Sequence, residues 1–471
     1  MIAAHASTPV PPSAAVNRVL SFGLPGPGIP RQMLPRHLLV ATLMLTVAAV
    51  SETSTQTADR PIVFVHGNGD SAALWHTTLW RFESNGYDRS RLFALDMVAP
   101  AAPDDDRVDE PNRSTSTEQR DQLAAAVTRI LAETGQTHVI LVGSSRGGNT
   151  IRNYIKTGAG HATVSLAVLC GTPNHGVFAS EEVPGSEYNG RGDFLTRLNA
   201  GSEIHPDVEF VTIRSDANDK YAQPVLPVDA AGDDLAGGGY DSPTLAGALN
   251  LVIDGLDHRE VAFAPRAFDA IYRAVAGRPP TAGITPETDV RLGGIVSGFA
   301  NGEPTNLPVD GAVVAVYDVH PETGARLGDP IHRATTGLDG RWGPFAGSPA
   351  APYEFVVSAA GYPTTHVYRS PFPRSTDLIR IRLEPLPGGA ASQPAIVTMT
   401  RPRGYFGHGR DTFTMDGRVP DGVVAGVPTT SAASMPFAIA RTVHVVFNEE
   451  ALAVRTYPLA EQHVVFAEFH Y

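Results

Sequence analysis

Between residues 61 and 277, short apolar runs alternate with helical patterns, and this alternation restricts the fold more than any other feature. Apolar runs of about four to eight residues favour buried strands, whereas apolar residues at helical spacing indicate one face of a helix. Strands that alternate with helices form a parallel sheet covered by helices on both faces. The sequence therefore predicts an α/β domain over residues 58–278. Its predicted strands are 61–65, 92–96, 138–142, 164–169, 208–213 and 249–253, and its clearest helices are 115–134 and 265–276.

The motif Gly-Ser-Ser-Arg-Gly at 143–147 lies between the third predicted strand and a helical stretch that runs to Lys156. In this context G-x-S-x-G is a nucleophile elbow, a tight turn that holds the central serine exposed at the top of the sheet. The glycines permit the sharp turn, and the spacing selects Ser145 rather than Ser144. We therefore predict Ser145 as the nucleophile of an acyl transfer.

A serine nucleophile of this kind needs a base and an orienting acid, which follow it in the order acid, then histidine. His258 follows the last predicted strand and is the predicted base, whereas His175 comes too early in the chain. Two acids compete in the loop after the fifth predicted strand. Asp219 is favoured because it lies further into the loop, while Asp216 is the alternative, although an aspartate there commonly caps a turn.

The developing negative charge on the substrate oxygen requires hydrogen-bond donors. The turn His-Gly-Asn-Gly at 66–69 directly follows the first predicted strand and supplies one donor. We predict that the backbone N–H groups of Asn68 and Arg146 form the oxyanion hole. His66 is predicted to pack beneath the loop rather than to take part in catalysis.

These motifs, taken together, resemble those of the α/β-hydrolase lipases and esterases of bacteria and archaea. The segments that carry the resemblance are 66–69, 143–147, 171–176, 215–224 and 255–258. The resemblance implies an α/β-hydrolase fold and a serine ester hydrolase acting on lipid or other acyl esters, with the carboxylate at Asp219. Many family members have His before the nucleophile and Met or Gln after it, where this chain has Ser144 and Arg146. Arg146 is therefore expected to place a charge near the acyl site.

After the linker 279–287 the helical periodicity disappears and short alternating runs with turn signals begin. We predict a β-sandwich-like domain over 289–385 and a β-rich segment over 395–471 that pairs with it. The region resembles, more weakly, the C-terminal β domain of some archaeal carboxylesterase-lipases, which implies lipid contact, and its first half is similar to a transthyretin-like sandwich. Its aromatic residues are interpreted as core first and as a lipid-facing surface second: Tyr353, Phe355, Tyr362, Tyr368, Phe372, Tyr405 and Phe406.

Charge and cysteine content exclude other classes of protein. The net charge of −13 argues against a nucleic-acid partner, which needs a concentrated basic surface. The single cysteine, Cys170, excludes an intrachain disulfide framework and a zinc finger. The triad chemistry implies no metal and no organic cofactor. The expected partner is an ester or lipid substrate.

Two kinds of segment bear on where the protein acts and how the site is covered. Residues 1–57 contain arginines, then an apolar run over 38–50 and small residues, which is typical of a secretory signal, so we expect a secreted or periplasmic protein. The alternative for this segment is a disordered extension with a short hydrophobic anchor. The segments 176–198 and 225–247 are long enough to form lids.

Two alternative functions follow from the same residues. A polyester depolymerase or an acyltransferase uses the same triad, with the β region as a polymer-binding module. A catalytically silent binding protein would lack a triad member, and none is missing from this sequence.

Overall fold

The fold is seen in a computed structural model that describes residues 60–223, 242–386 and 394–471. The predicted signal segment 1–57 and most of the second predicted lid lie outside the described residues. None of the helices in the described ranges is both long and apolar enough to cross a membrane.

A six-stranded parallel sheet in the order β2-β1-β3-β4-β5-β6 forms the first part of the chain. Helices cover the sheet, which confirms the predicted α/β-hydrolase class. The strands are β1 (Ile62–Val65), β2 (Leu92–Leu95), β3 (Val139–Ser144), β4 (Val164–Cys170), β5 (Glu209–Arg214) and β6 (Leu249–Val252). The helices are α1 (His76–Ser84), α2 (Ser116–Thr134), α3 (Arg146–Thr157), α4 (Asp193–Asn199), α5 (Glu260–Phe263) and α6 (Pro265–Ala276).

The central strands are apolar on both faces because each face supports its own core. Ile62 and Phe64 of β1 pack into one hydrophobic cluster, and Val63 and Val65 pack into the other. Successive side chains of a strand point to opposite faces, so a continuous apolar run is buried on both. This arrangement explains why the strand predictions agree closely with the observed bounds.

Local capping signals set the ends of helix α2. The hydroxyl of Thr115 accepts the N–H of Glu118, the Glu118 carboxylate accepts the N–H of Thr115, and Gly135 ends the helix at φ +67°. Such a reciprocal capping box satisfies amide donors that would otherwise lack partners. The predicted helix 115–134 thus begins and ends where its capping residues indicate.

The remainder of the chain forms three β-sheets. The first of these sheets has seven strands in the order β10-β9-β12-β13-β20-β15-β17. The second has the order β11-β7-β14, with β8 also paired to β7, and the third has the order β16-β18-β19. The bounds are β7 (Val290–Ala300), β8 (Glu303–Pro308), β9 (Val313–Asp318), β10 (His332–Thr335), β11 (Arg341–Gly347), β12 (Tyr353–Ser358), β13 (Thr364–Arg369), β14 (Thr376–Arg382), β15 (Ala395–Thr400), β16 (Phe413–Met415), β17 (Ala432–Phe437), β18 (Thr442–Phe447), β19 (Glu450–Arg455) and β20 (His463–Glu468). Strand β20 lies between β13 and β15, so the segments 289–385 and 395–471 share one sheet.

Most of the aromatic residues singled out in this region belong to the core. Tyr353, Phe355, Tyr368, Phe372, Tyr405 and Phe406 are buried, and only Tyr362 is half-buried. For Tyr353, Phe355, Tyr368, Phe372 and Phe406 the core interpretation is correct, and a lipid-facing surface made of them is wrong, because these rings belong to the hydrophobic clusters of the β region. Tyr405 is buried but belongs to neither cluster.

The first sheet and the β region share a packed interface. Trp80 of α1 inserts into the hydrophobic cluster of the β region, and its indole N–H donates to the carbonyl of Ser375 at 2.9 Å. The predicted linker 279–287 follows the same surface, since the side chain of Asn85 accepts the N–H groups of Thr281 and Ala282. The β region and the linker are therefore packed against helix α1 and the residue that follows it.

Candidate active site

The turn between β3 and α3 holds Ser145 in a strained backbone conformation. Its φ of +54° is rare for a residue with a side chain and costs about 1–3 kcal/mol. Close packing maintains this turn. A Cβ on Gly147 would lie 2.5 Å from two backbone carbonyl oxygens at the end of β1, and one on Gly143 would lie 2.6 Å from Ile151. The glycines of the motif are thus needed for space at the elbow.

Three predicted site residues form a continuous hydrogen-bonded chain. The hydroxyl of Ser145 lies 2.8 Å from Nε2 of His258, and Nδ1 of His258 lies 2.7 Å from Oδ1 of Asp219. His258 and Asp219 are both buried. The ring of Tyr221 packs edge-on against the imidazole, with centroids 4.8 Å apart. This arrangement places a base beside the hydroxyl and an acid behind the base.

Asp219, and not Asp216, faces the histidine. Oδ1 of Asp219 also accepts the N–H groups of Tyr221 and Ala222, at 2.9 and 2.8 Å. The carboxylate of Asp216 instead accepts the N–H groups of Asn218 and Gly255, so it caps two neighbouring turns. The loop geometry therefore gives the two aspartates different tasks.

The two other histidines considered in the sequence lie outside this chain of contacts. His66 is buried, its Nδ1 contacts the carbonyl of Gly67 at 2.8 Å, and its Nε2 accepts the N–H of Met97 at 3.1 Å. Burial lowers the pKa of His66. His175 hydrogen-bonds through Nε2 to Glu203 at 2.9 Å.

The predicted oxyanion donors lie on the two loops that meet at Ser145. Arg146 is the first residue of α3, where backbone N–H groups lack partners within the helix. The side-chain oxygen of Asn68 accepts the N–H of Ala102 at 2.8 Å, which fixes the loop after β1. Among the backbone–backbone hydrogen bonds of the described ranges, none has the Asn68 or the Arg146 N–H as its donor.

The side chain of Arg146 does not bring a charge to the acyl site, so that expectation is wrong. Its guanidinium contacts both carboxylate oxygens of Glu187, at 2.5 and 2.7 Å, and both side chains are 3% exposed. It also donates to the carbonyls of Pro100 and Ser114. Glu187 is distant in sequence, and its carboxylate neutralises the guanidinium inside the protein. The sequence motif alone gives no indication of this partner.

A cavity of about 200 Å³ opens beside Ser145. Its walls combine apolar and aromatic side chains with a few polar groups, as is usual in ligand sites. The lining residues are Gly67, Asn68, Asp70, Ser144, Ser145, Pro173, Val177, Phe178, Tyr188, Tyr221, His258, Arg259 and Tyr405.

Sequence reasoning missed several of these wall residues. Three of them come from the first predicted lid, 176–198: Val177, Phe178 and Tyr188. The length of this segment allows a lid, but it does not identify the individual side chains that line the cavity. Tyr405 comes from the β region, and its N–H contacts a residue 148 positions earlier in the chain. Nothing in the sequence pattern connects Tyr405 with the triad.

Two regions of the chain match models of known protein families. Residues 59–180 match the model of the lipase (class 2) family, and residues 288–386 match the model of the lipase C-terminal domain.

Similar solved structures include lipase B of Aspergillus fumigatus, at 16% identity over 48% of this chain and 54% of that chain, with a TM-score of 0.35. The mature form of a Bacillus licheniformis lipase matches at 21% identity over 46% of this chain and 91% of that chain, with a TM-score of 0.32. A Rhodococcus esterase matches at 18% identity over 47% of this chain and 92% of that chain, with a TM-score of 0.30. This chain thus spans about half the length of the Aspergillus enzyme. The two family matches confirm the predicted resemblance: residues 59–180 are similar to class 2 lipases, and residues 288–386 are similar to the lipase C-terminal domain.

Proposed function

We propose that this protein is a serine carboxylic-ester hydrolase of the lipase or esterase type, with Ser145, His258 and Asp219 as its catalytic triad. The observation that carries the proposal is the unbroken contact from Ser145 Oγ through the imidazole to the buried carboxylate. The match to the class 2 lipase family supports hydrolysis of esters by this region.

In the acylation step, Ser145 Oγ attacks the carbonyl carbon of the ester while His258 Nε2 takes the hydroxyl proton. The carbonyl oxygen becomes an oxyanion and accepts hydrogen bonds from the backbone N–H groups of Asn68 and Arg146. When the tetrahedral intermediate collapses, the imidazolium gives its proton to the leaving alkoxide. The alcohol departs and the acyl group stays on Ser145.

In the deacylation step, a water molecule attacks the acyl-enzyme carbonyl and His258 takes a proton from that water. The second tetrahedral intermediate expels Ser145 Oγ, which recovers its proton from the imidazolium, and the carboxylic acid leaves. Asp219 keeps the ring in the tautomer that presents Nε2 to the serine. Two backbone donors fix this carboxylate, so its orientation does not depend on substrate.

The substrate class that we propose is a lipid ester or another acyl ester. Val177, Phe178, Tyr188 and Tyr221 give the cavity an apolar and aromatic wall that suits an acyl chain. The matching lipase C-terminal domain supports lipid as the source of the ester.

Hydrolysis of p-nitrophenyl esters across short to long acyl chains tests this function. We expect Ser145→Ala to lower kcat by about 10⁶-fold, as loss of a serine nucleophile does, while Ser202→Ala, at an exposed serine, leaves it unchanged. A fluorophosphonate should add covalently to the wild type at Ser145 and not to the Ser145→Ala variant. The proposal is refuted if the wild type hydrolyses none of these esters, or if Ser145→Ala retains the activity.

We also propose that the protein is secreted or exported to the periplasm. The support is the order of arginines, apolar run and small residues within 1–57, which is typical of a signal peptide. N-terminal sequencing should show that the mature protein begins shortly after residue 50. An intact N-terminus on the mature protein would contradict export by this route.

A further inference from the structure

A loop of the β region, residues 401–411, contacts the segment that carries the catalytic histidine. Arg401 Nη1 lies 3.0 Å from Asp257 Oδ2 and its Nη2 lies 2.5 Å from Glu260 Oε1. Arg410 reaches the same two acids, at 3.3 Å from Asp257 and 2.8 Å from Glu260. Two arginines thus hold the two acids that flank His258 in the sequence.

The acids are tied to their own backbone as well. Asp257 Oδ1 accepts the N–H groups of Arg259 and Glu260, both at 2.9 Å. Its other oxygen, Oδ2, accepts the backbone N–H of Tyr405 at 2.8 Å. Asp257 therefore joins the turn around His258 directly to the 401–411 loop.

This cluster lies inside the protein, and a third carboxylate, that of Asp411, contacts Arg410 at 2.8 Å. The side chain of Arg401 is 4% exposed and that of Asp257 is fully buried, while Glu260 and Arg410 are mostly buried. Burial and the neighbouring Asp257 raise the pKa of Glu260 above its ordinary value, and the attraction of the two arginines offsets only part of that rise. Charge-assisted hydrogen bonds in such a setting fix side chains in one geometry.

The ring of Tyr405 completes the wall of the cavity beside Ser145 and His258. Two cations lie close to the ring, with Lys220 Nζ 4.9 Å and Arg259 Cζ 5.2 Å from its centroid. Arg259 in turn donates to the carbonyl of Pro402 at 2.7 Å, which draws the loop towards the pocket. The ring is therefore held in place from several sides.

We infer that the 401–411 loop is part of the active site: Arg401 and Arg410 are positioning residues for His258, and Tyr405 is a wall that selects the acyl group. This inference rests on the proposed ester hydrolysis and extends it to the β region. The physical reason is that catalysis depends on atomic placement, and a displacement of about 1 Å can cost about 10²-fold in rate. The β region thereby acts on the chemistry itself, in addition to any contact with lipid.

The test compares variants of the full chain. Arg410→Gln removes the more exposed of the two positioning arginines, and we expect kcat to fall about 10- to 100-fold with KM within about twofold. Arg410→Lys keeps the positive charge, so its kcat should be close to that of the wild type and well above that of Arg410→Gln. Arg401→Gln should lose more, because Arg401 is more deeply buried. The rate of Ser145 acylation by a fluorophosphonate should fall in parallel with kcat.

The matched control is Arg374→Gln. Arg374 also joins the β region to the first part of the chain, at 3.1 Å from Glu83 and 2.8 Å from Glu287, but it does not line the cavity. We expect a similar loss in melting temperature and no change in kcat, which separates positioning from stability. Equal kcat for Arg374→Gln and Arg410→Gln would overturn the positioning role. So would a failure of Arg410→Lys to recover activity.

Tyr405→Leu tests the wall. Loss of the ring enlarges the cavity, so relative kcat/KM should shift towards bulkier acyl groups by about tenfold. An unchanged acyl-chain profile would overturn this assignment. If the wild type hydrolyses no ester at all, the proposed function is refuted and this inference is refuted with it. If the wild type is active and the loop variants have the same kcat and acyl-chain profile as the wild type, only the role of the loop is refuted.

Discussion

The buried pair of Arg146 and Glu187 provides a sharp test of how the cavity wall is held. Glu187 belongs to the segment 176–198, which supplies Val177, Phe178 and Tyr188 to the cavity. Arg146 is the residue after the nucleophile, and Glu187 is its only acidic partner within 4 Å among the described residues. The perturbation is Glu187→Gln, which keeps the shape of the side chain and removes its charge.

The cost follows from burial, since both side chains are 3% exposed. Removing one partner of a buried ion pair leaves the other charge without compensation and typically costs about 3–5 kcal/mol. In a domain of this size about 1 kcal/mol shifts the melting temperature by about 2–4 °C, so we expect a decrease of about 6–20 °C. The wall residues should lose their fixed positions, which raises KM.

Thermal unfolding and limited proteolysis of the segment 176–198 measure this effect. The control is Glu181→Gln in the same segment, because Glu181 is 81% exposed and its partner Arg191 is 44% exposed. Exposed pairs of this kind often contribute nothing measurable. If Glu187→Gln and Glu181→Gln shift the melting temperature equally, the buried pair does not stabilise the wall.

Three further predictions concern the triad, the elbow and pH. Asp219→Asn should lower kcat by about 10⁴-fold. The kcat of Asp216→Asn should stay within about tenfold of the wild-type value, because Asp216 only caps turns. Equal losses of kcat in steady-state assays would contradict these roles. Gly147→Ala should abolish activity and lower the soluble yield, since its Cβ would meet two carbonyl oxygens at 2.5 Å. The control Gly283→Ala has open space around its Cβ and should behave as the wild type. An active Gly147→Ala enzyme would rule out the close packing. Burial and neighbouring cations hold the pKa of His76 well below 6.5, so below that pH the unfolded chain binds more protons than the folded protein. The melting temperature should therefore decrease as the pH is lowered from about 7.5 to about 5, and the decrease should be smaller in His76→Phe. Identical pH profiles for the two proteins would show that His76 is not responsible.

Much of the fold follows from signals that act over a few residues. Continuous apolar runs mark strands buried on both faces, as in β1, and a capping box with a terminal glycine sets the ends of α2. Strands such as β8 and β11 of the β region carry no such signal, because prolines or glycines interrupt their apolar residues. Both strands pair with β7, a longer strand that offers a hydrogen-bonding edge, and a pattern within a strand does not report its neighbour.

The sequence by itself determined the α/β class, the position of the elbow at Ser145 and the order of acid and base along the chain. These features depend on periodicity and on turn chemistry, which are local properties. The tertiary structure decided that Asp219 rather than Asp216 faces His258, because the two carboxylates differ only in the direction their turns give them.

The tertiary structure also decided what surrounds the triad. It paired the guanidinium of Arg146 with Glu187, and it brought Arg401 to Asp257 across 144 positions of the chain. Such contacts arise where distant segments pack together and bury charges that must have partners. No spacing rule in the sequence contains that information, because it depends on which surfaces meet.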